Sequence, residues 1–243
     1  MNAKLPLQVF VISLERSTER REGVKEQLKK TGIDWQFLNA VDGYALPSMP
    51  PSYQQSKVKR LQGYELTLGE VGCFLSHIKV WELCLKNNVT TLVFEDDILV
   101  DKNIEVVIND LLTIGDRWSL IRLSGIYETD HQILQSRSTY DLVKNLGEPC
   151  GTAAYIIQPS AAKILLKNST KIYEPVDHYL EHYSKHGVRC LATKPYPIGL
   201  EHTKSTITDR PGRLPVKGFR KILRSIFRFI DRHLSPSPWF PRG

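Results

Sequence analysis

The stretch Thr90-Thr-Leu-Val-Phe-Glu-Asp-Asp97 decides the fold class, because it joins a run of strand-forming residues to three acids. β-Branched and aromatic residues favour extended structure, and an apolar run without alternation predicts a strand that is covered on both faces. Such strands are typical of the central sheet of an α/β domain. In open α/β sheets ligands bind beyond the carboxyl ends of the strands, so we expect Glu95, Asp96 and Asp97 at a functional site.

The three acids suggest a specific ligand. Side chains alternate along a strand, so Glu95 and Asp97 share one face and Asp96 points to the other. Carboxylate oxygens suit hard cations such as Mg²⁺ or Mn²⁺, which usually keep positions open for phosphate oxygens. A simpler alternative is an acidic strand end that caps the next helix.

Length and composition predict one α/β catalytic domain over residues 1–212 and a basic tail over 213–243, in a chain of 243 residues. The formal charge is +7, and much of the excess lies near the C-terminus. The four cysteines have no C-x-x-C spacing, so neither a zinc knuckle nor a dense disulfide framework is predicted. No stretch has the length of a signal peptide core or of a membrane span, which needs about 20 apolar residues. We therefore expect a soluble enzyme body with reduced thiols in a cytosol.

The tail has a pattern of its own between residues 216 and 234. Apolar residues form one helical stripe, and basic residues occupy most of the remaining positions. This pattern predicts an amphipathic helix that binds an anionic membrane surface, although packing against the enzyme body would use the same stripe. The basic residues are Lys217, Arg220, Lys221, Arg224, Arg228 and Arg232.

The N-terminal part predicts a strand over residues 8–14 and a helix over 15–30. The start of this helix carries Arg16, Arg20 and Arg21. Guanidinium groups match phosphate oxygens, and a helix N-terminus favours anions, so a diphosphate site is one interpretation. A solvated charged face is the other.

The remaining pattern predicts alternating strands and helices. Thr67 and Glu70 have capping-box spacing before a helix over 68–86, and residues 44–63 predict a long binding loop or lid. Further helices are expected over 104–112, over 159–166 and from Pro175 onward. Further strands are expected over 34–41, 119–124 and 150–157, with an edge strand and loop over 188–202.

Several polar residues have two possible roles, in which they either contact a ligand or bond to another part of the fold. Ser76 and His77 either face the cleft or form ordinary helix hydrogen bonds, and Arg122 in an apolar strand pairs with the acids or holds a ligand. Small residues at Gly151 and Thr152 allow close approach of a backbone or ligand. Asp177 falls in the first turn of a helix, where Asp is also common for dipole reasons.

Taken in order, these segments resemble glycosyltransferase family 25, the bacterial lipooligosaccharide galactosyltransferase group. No single segment is very specific, but the ordered set is. The resemblance is carried by Val11-Ile-Ser-Leu14 with Arg20-Arg21, Gly72-Cys-Phe-Leu-Ser-His77 with Trp81, Val93-Phe-Glu-Asp-Asp97, Arg122-Leu123, Cys150-Gly-Thr-Ala-Ala-Tyr-Ile-Ile157 and Val176-Asp177. The acidic cluster stands here as Glu-Asp-Asp instead of a strict Asp-x-Asp.

The resemblance implies a GT-A-like nucleotide-sugar-binding fold with a mostly parallel central sheet. It also implies a UDP-sugar donor, usually UDP-galactose, and inverting transfer that builds β-linkages on a lipid-linked oligosaccharide acceptor. Asp97 and Asp177 are the expected catalytic residues, with Glu95, Asp97 and His202 at a Mn²⁺ or Mg²⁺ ion. The residues expected near the donor are Ser13, Arg20, Arg21, Ser76, His77, Glu95, Asp96, Arg122, Gly151 and Thr152.

Inversion needs a carboxylate that takes the proton of the acceptor hydroxyl. Asp177 is the first candidate, and Glu128, Asp130 and Glu181 are alternatives. Two other functional classes remain open: a metal-dependent phosphohydrolase, for which no second acid set is found, and a basic nucleic-acid-binding protein, for which no motif is found. We expect no nucleic-acid partner and a location on the cytoplasmic face of the inner membrane.

Overall fold

The computed structural model describes residues 6–114 and 118–201. His202 and the predicted tail helix lie outside these residues. Within them the helices are α1 Thr18–Leu28, α2 Gln55–Gln62, α3 Leu68–Asn87, α4 Ile104–Thr113, α5 Pro159–Asn168, α6 Val176–Glu181 and α7 Tyr183–His186, with a 3-10 turn at Gly43–Ala45. The strands are β1 Leu7–Ser13, β2 Gln36–Asn39, β3 Thr90–Glu95, β4 Ile98–Val100, β5 Leu120–Arg122, β6 His131–Ser136, β7 Asp141–Asn145, β8 Ala154–Ile157, β9 Cys190–Lys194 and β10 Ile198–Leu200. No helix among them is long and apolar enough to cross a bilayer.

Eight strands form one sheet in the order β2-β1-β3-β8-β5-β9-β7-β6, and β4 pairs with β10 in a separate ribbon. The pairing directions make β7 and β8 run against the other six strands. The expected α/β fold with a mostly parallel central sheet is therefore confirmed. The predicted central strand is β3, which lies inside the sheet between β1 and β8.

Helices cover both faces of the sheet, which explains why β3 is apolar without alternation. Leu92 and Phe94 pack with α1 and α4 on one face, whereas Val93 packs with α3, α5 and α6 on the other. Residues 90–94 are all buried. At roughly 1.5 to 3 kcal/mol for each large apolar side chain, this double burial holds β3 firmly under the acids that follow it.

Helix α3 is fixed at its start by the predicted capping box. The Thr67 side chain accepts from the Glu70 backbone N–H, and the Glu70 side chain accepts from the Thr67 N–H. The helix then presses on the 3-10 turn: a Cβ at Gly72 would lie 2.6 Å from the carbonyl oxygen of Val41. Only a glycine permits this approach, which brings the loop after β2 to the cleft.

Two expectations from the sequence are wrong in detail, and one hairpin is missing from them. The stretch 44–63 contains α2, whose buried Val58 and Leu61 give too short a periodic pattern to predict a helix. The segment expected as an edge strand is β9, which lies inside the sheet between β5 and β7. The hairpin β6–β7 was not predicted, because β6 is almost wholly exposed and lacks apolar alternation.

Candidate active site

The acids after β3 lie in a cleft at the carboxyl ends of β1 and β3. The cleft is bounded by the start of α1, by the loop after β2 and by one face of α3. Of the residues predicted near a donor or a metal, seven line it. They are Ser13, Arg20, Ser76, His77, Glu95, Asp96 and Asp97, of which Asp97 is also a predicted catalytic residue.

Both carboxylate oxygens of Asp96 accept hydrogen bonds from side chains of β1 and α1. Its Oδ2 accepts a 2.6 Å hydrogen bond from Ser13 Oγ, and its Oδ1 accepts a 2.9 Å hydrogen bond from Arg20 Nη1. The same Arg20 nitrogen lies 3.5 Å from Asp97 Oδ2. Asp96 therefore holds Arg20 over the acidic cluster, and a direct metal contact would have to displace one of these bonds.

Glu95 points to the opposite side, as the strand period predicts. Its Oε1 lies 3.3 Å from His77 Nε2 and accepts a short hydrogen bond from Thr152. His77 Nδ1 lies 2.9 Å from the hydroxyl of Tyr155, which accepts a 3.0 Å bond from Trp81 Nε1. The indole can only donate, so the Tyr155 hydroxyl accepts from Trp81, and the two ring nitrogens of His77 connect that hydroxyl to Glu95.

This buried chain stabilises the ionised form of Glu95. Burial by itself would raise the pKa of the carboxyl, but the hydrogen bond and charge of His77, with Thr152 and Arg20, outweigh it and lower the pKa. Neither Trp81 nor Tyr155 could be assigned this part from sequence, because their contacts join residues 74 and 78 positions apart.

Asp97 has one carboxylate oxygen, Oδ1, that is buried without a hydrogen-bond partner among the described residues. Burial, followed by the charge of Glu95, raises the pKa of Asp97 to about 7, although Arg20 opposes the shift. A buried acceptor without a donor is costly, and a divalent cation would satisfy it. The donor set of Glu95 and Asp97 carboxylates therefore fits Mn²⁺ or Mg²⁺.

Asp177 lies in the first turn of α6, as predicted, and faces a tight turn before β8. Cys150 and Gly151 both have positive φ, at 54° and 76°, so the turn exposes its N–H groups. The Gly151 N–H donates to Asp177 Oδ2 at 3.3 Å, and the His178 N–H donates to Oδ1 at 2.9 Å. Thr152, the next residue of the turn, donates to Glu95. The turn therefore links Asp177 to the acidic cluster.

Cys73 on α3 also lines the cleft. Burial raises the pKa of its thiol well above the ordinary value, and the charges of Glu95, Asp177 and Asp97 raise it further. The thiol therefore stays protonated in this acidic site.

Arg122 differs from its expected part at the donor. Its side chain is 1% exposed, Nε lies 2.7 Å from Glu181 Oε1, and Nη1 and Nη2 donate to backbone carbonyls. These acceptors belong to Gly151 and Asp177. A buried arginine needs such partners, so Arg122 positions the turn and the start of α6, and it stands outside the residues that line the cleft.

Arg21 and Ser76 form hydrogen bonds that hold neighbouring elements of the fold together. Arg21 Nη2 donates to Ser13 O and Asn39 Oδ1, and its guanidinium lies 4.6 Å from the Phe37 ring centroid. It stands outside the residues that line the cleft. Ser76 Oγ donates to Gly72 O and accepts from the Val41 N–H, so its hydroxyl holds the loop after β2.

The three alternative candidates for the base lie at the surface or are paired with other residues. Glu128 pairs with Lys194 Nζ at 2.6 Å and is 84% exposed, and Asp130 is exposed. Glu181 is the buried partner of Arg122. Asp177 is the one of the four that bonds to the turn leading to Glu95.

Residues 7–180 match the model of Glycosyltransferase family 25 (LPS biosynthesis protein). This chain belongs to glycosyltransferase family 25. Its sequence is 28% identical over 246 residues to a glycosyltransferase 25 family member of Aedes aegypti, a match that covers 88% of this chain and 40% of that protein. The match confirms the predicted family, glycosyltransferase family 25.

Two other relatives in the family carry contrasting names. One is procollagen galactosyltransferase 1-A of Xenopus laevis, 31% identical over 74% of this chain and 32% of that protein. Another is the inactive glycosyltransferase 25 family member 3 of Homo sapiens, 33% identical over 71% of this chain and 31% of that protein. This family 25 chain thus spans about a third of the length of these relatives.

Among solved structures, a glycosyltransferase involved in glycosylation of the major capsid of PBCV-1 aligns with a TM-score of 0.39 and 11% identity, covering 77% of this chain and 81% of that one.

Proposed function

We propose that this family 25 chain is a divalent-metal-dependent glycosyltransferase that moves a hexose, galactose in the first instance, from a UDP-sugar to an oligosaccharide with inversion. The observation that carries the proposal is the buried, unpartnered Asp97 Oδ1 in a cleft that also holds Arg20. Names within the family include active and inactive members, so the proposal depends on this site.

Asp97 and Glu95 would hold Mn²⁺ or Mg²⁺. When bound, the ion would neutralise negative charge on the diphosphate leaving group. The chain supplies cations of its own in the same cleft: Arg20, which Asp96 holds in place, and Arg16. Guanidinium groups form paired hydrogen bonds with phosphate oxygens, so we assign the diphosphate to this side.

A donor must widen the cleft. Its volume is about 130 Å³, whereas small-molecule sites usually measure roughly 300 to 1,000 Å³. Arg16 forms an ion pair across the lining with Asp42, and the Arg16 side chain is 56% exposed. An exposed pair has little stability, so we expect Arg16 to leave Asp42 and contact the donor.

Asp177 is the proposed acceptor base. Both of its oxygens accept backbone N–H bonds, which fixes the carboxylate toward the turn that leads to Glu95. A base in this position would remove the proton of an acceptor hydroxyl as the hydroxyl attacks the anomeric carbon from the side opposite the diphosphate.

The test is UDP release from a panel of UDP-sugars, with and without methyl β-lactoside, and with Mn²⁺ or EDTA. We expect acceptor-stimulated UDP release that requires the metal. Release of inorganic phosphate would instead identify a phosphohydrolase, and no turnover of any UDP-sugar would reject the proposal.

Metal binding should also be visible in stability. The pKa of Asp97, about 7 in the folded metal-free protein, lies above its ordinary 3.8. The folded state therefore binds more protons than the unfolded state between these values, and the stabilising contribution is lost as pH rises toward 7. We predict that Mn²⁺ raises the Tm of the wild type at pH 8 and that Asp97→Asn raises the metal-free Tm but abolishes the Mn²⁺ effect.

Asp34→Asn is the matched control for that measurement, because Asp34 is an exposed aspartate outside the cleft. It should respond to Mn²⁺ as the wild type does. An Asp97→Asn protein with the full Mn²⁺ shift would contradict the metal assignment.

The acceptor is proposed to be lipid-linked, with the 216–234 segment holding the enzyme at the cytoplasmic face of the inner membrane. Each basic residue near an anionic surface contributes roughly 1 kcal/mol. We predict that the chain binds phosphatidylglycerol vesicles less tightly as salt rises, and that truncation after Pro215 removes binding but keeps transfer to methyl β-lactoside. Equal sedimentation of the truncated chain would contradict this assignment.

A further inference from the structure

A second cleft lies beside the segment that leads to the Cys150–Gly151 turn, and it shares no lining residue with the first. It opens between the end of β7 with the loop that follows and the end of α6 with α7. Its volume is about 540 Å³, within the usual range of small-molecule sites. The side chains that line it include Lys144, Asn145, Leu146, Glu148, Glu181 and Tyr183.

The chemistry of this cleft differs from that of the first. Among its described lining residues one lysine stands against two glutamates, so the local charge opposes a diphosphate. Amide, carboxylate and ammonium groups supply both donors and acceptors, and Tyr183 adds a ring with a polar tip. Neutral polyhydroxyl ligands need this combination: hydrogen bonds around the ring edge and an apolar surface against the ring face.

Glu181 brings a mostly buried carboxylate to this cleft. Its side chain is only 9% exposed, and its Oε1 lies 2.7 Å from Arg122 Nε in an ion pair. Burial raises the pKa of Glu181, Arg122 opposes the shift, and the charges of Glu148 and Asp177 add to it. A carboxylate has more acceptor positions than one ion pair occupies, so Glu181 can also accept a hydrogen bond from a ligand hydroxyl.

The second cleft adjoins the proposed base. Glu181 follows Asp177 by four residues on α6, which is one turn, or about 6 Å along the axis. Cys150 lies within electrostatic reach of Asp177, Glu148 and Glu181. Asp177 bonds to the Gly151 turn that leads to Glu95, and Glu181 on the same helix lines the second cleft.

We infer that the second cleft binds the acceptor saccharide, with Tyr183 against a sugar face and Asn145 and Glu181 at its hydroxyls. The inference rests on the proposed function, since a transferase needs two substrates that meet at one base. The sugar bearing the reacting hydroxyl lies at Asp177, and the adjoining sugar occupies the cleft.

The experiment compares Tyr183→Ala, Tyr183→Phe and Asn145→Ala in full-length protein. The acceptor is whichever of methyl β-lactoside, methyl β-galactoside and methyl β-glucoside the wild type uses best. We expect the acceptor KM to rise roughly tenfold in Tyr183→Ala, as for loss of one aromatic contact, and to change little in Tyr183→Phe. The donor KM and the slow hydrolysis of the UDP-sugar without acceptor should match the wild type in all three.

Controls separate this inference from the proposed function. Tyr127→Ala removes an exposed tyrosine outside the cleft and should leave the acceptor KM unchanged. If Tyr183→Ala misfolds, Asn145→Ala keeps the same comparison. Absence of any UDP-sugar turnover by the wild type rejects the proposed function, whereas normal acceptor KM in folded Tyr183→Ala and Asn145→Ala overturns the acceptor site alone. If the wild type hydrolyses the UDP-sugar but transfers to none of the three glycosides, the proposal that the second cleft binds a saccharide acceptor is wrong.

Discussion

Asp97→Asn is expected to lower kcat for sugar transfer by about a thousandfold, since a metal ion supplies several kcal/mol of charge stabilisation and each 1.4 kcal/mol is tenfold in rate. The amide keeps the size of the carboxyl group but cannot supply its charge to the ion. The loss should appear in kcat and in Mn²⁺ affinity together, measured as UDP release across a metal titration.

The fold should survive this substitution. Asp97 Oδ1 makes no hydrogen bond to the described protein, and the carboxylate is repelled by Glu95. Removing its charge therefore relieves repulsion at neutral pH. Asp34→Asn should keep wild-type turnover, and an Asp97→Asn enzyme of normal kcat would remove Asp97 from the mechanism.

Asp177→Asn is expected to lower kcat by about 10² to 10⁴, the usual range for loss of a general base. Donor KM should stay near the wild-type value, because proton removal belongs to transfer and not to donor binding. Transfer to methyl β-lactoside and UDP-galactose binding by calorimetry measure the two effects separately.

Two comparisons make the assignment of Asp177 specific. Glu128→Gln changes a surface carboxylate paired with Lys194 and should leave kcat unchanged. If Asp177→Asn instead weakens donor binding as much as it lowers kcat, Asp177 holds the Gly151 turn in place and is not the base.

Much of the fold is predictable because its central elements carry local signals. The apolar run of β3, the capping box of α3 and the proline at the start of α5 each determine structure within a few residues. The hairpin β6–β7 lacks such signals, since β6 is exposed on both faces. The position of β9 inside the sheet depends on pairing with β5 and β7, which no short segment specifies.

The same distinction applies to the site. The position of Glu95, Asp96 and Asp97 follows from the end of one strand, so the sequence predicts it. The partners of Arg21 and Arg122 do not follow from the sequence, because a guanidinium group can bind either a phosphate or a backbone carbonyl. Arg122 is directed to the Gly151 carbonyl by burial, and the sequence shows only that it needs a partner.

The central claim, metal-dependent inverting transfer from a UDP-sugar, is tested most directly by NMR of one reaction. The mixture contains full-length protein, UDP-galactose, methyl β-lactoside and Mn²⁺, and its anomeric proton signals are followed with time. We predict that the α-anomeric signal of the donor declines as one new β-anomeric signal appears on the acceptor, and that EDTA stops both changes. A new α-anomeric signal, a reaction unaffected by EDTA or an unchanged spectrum would contradict the account.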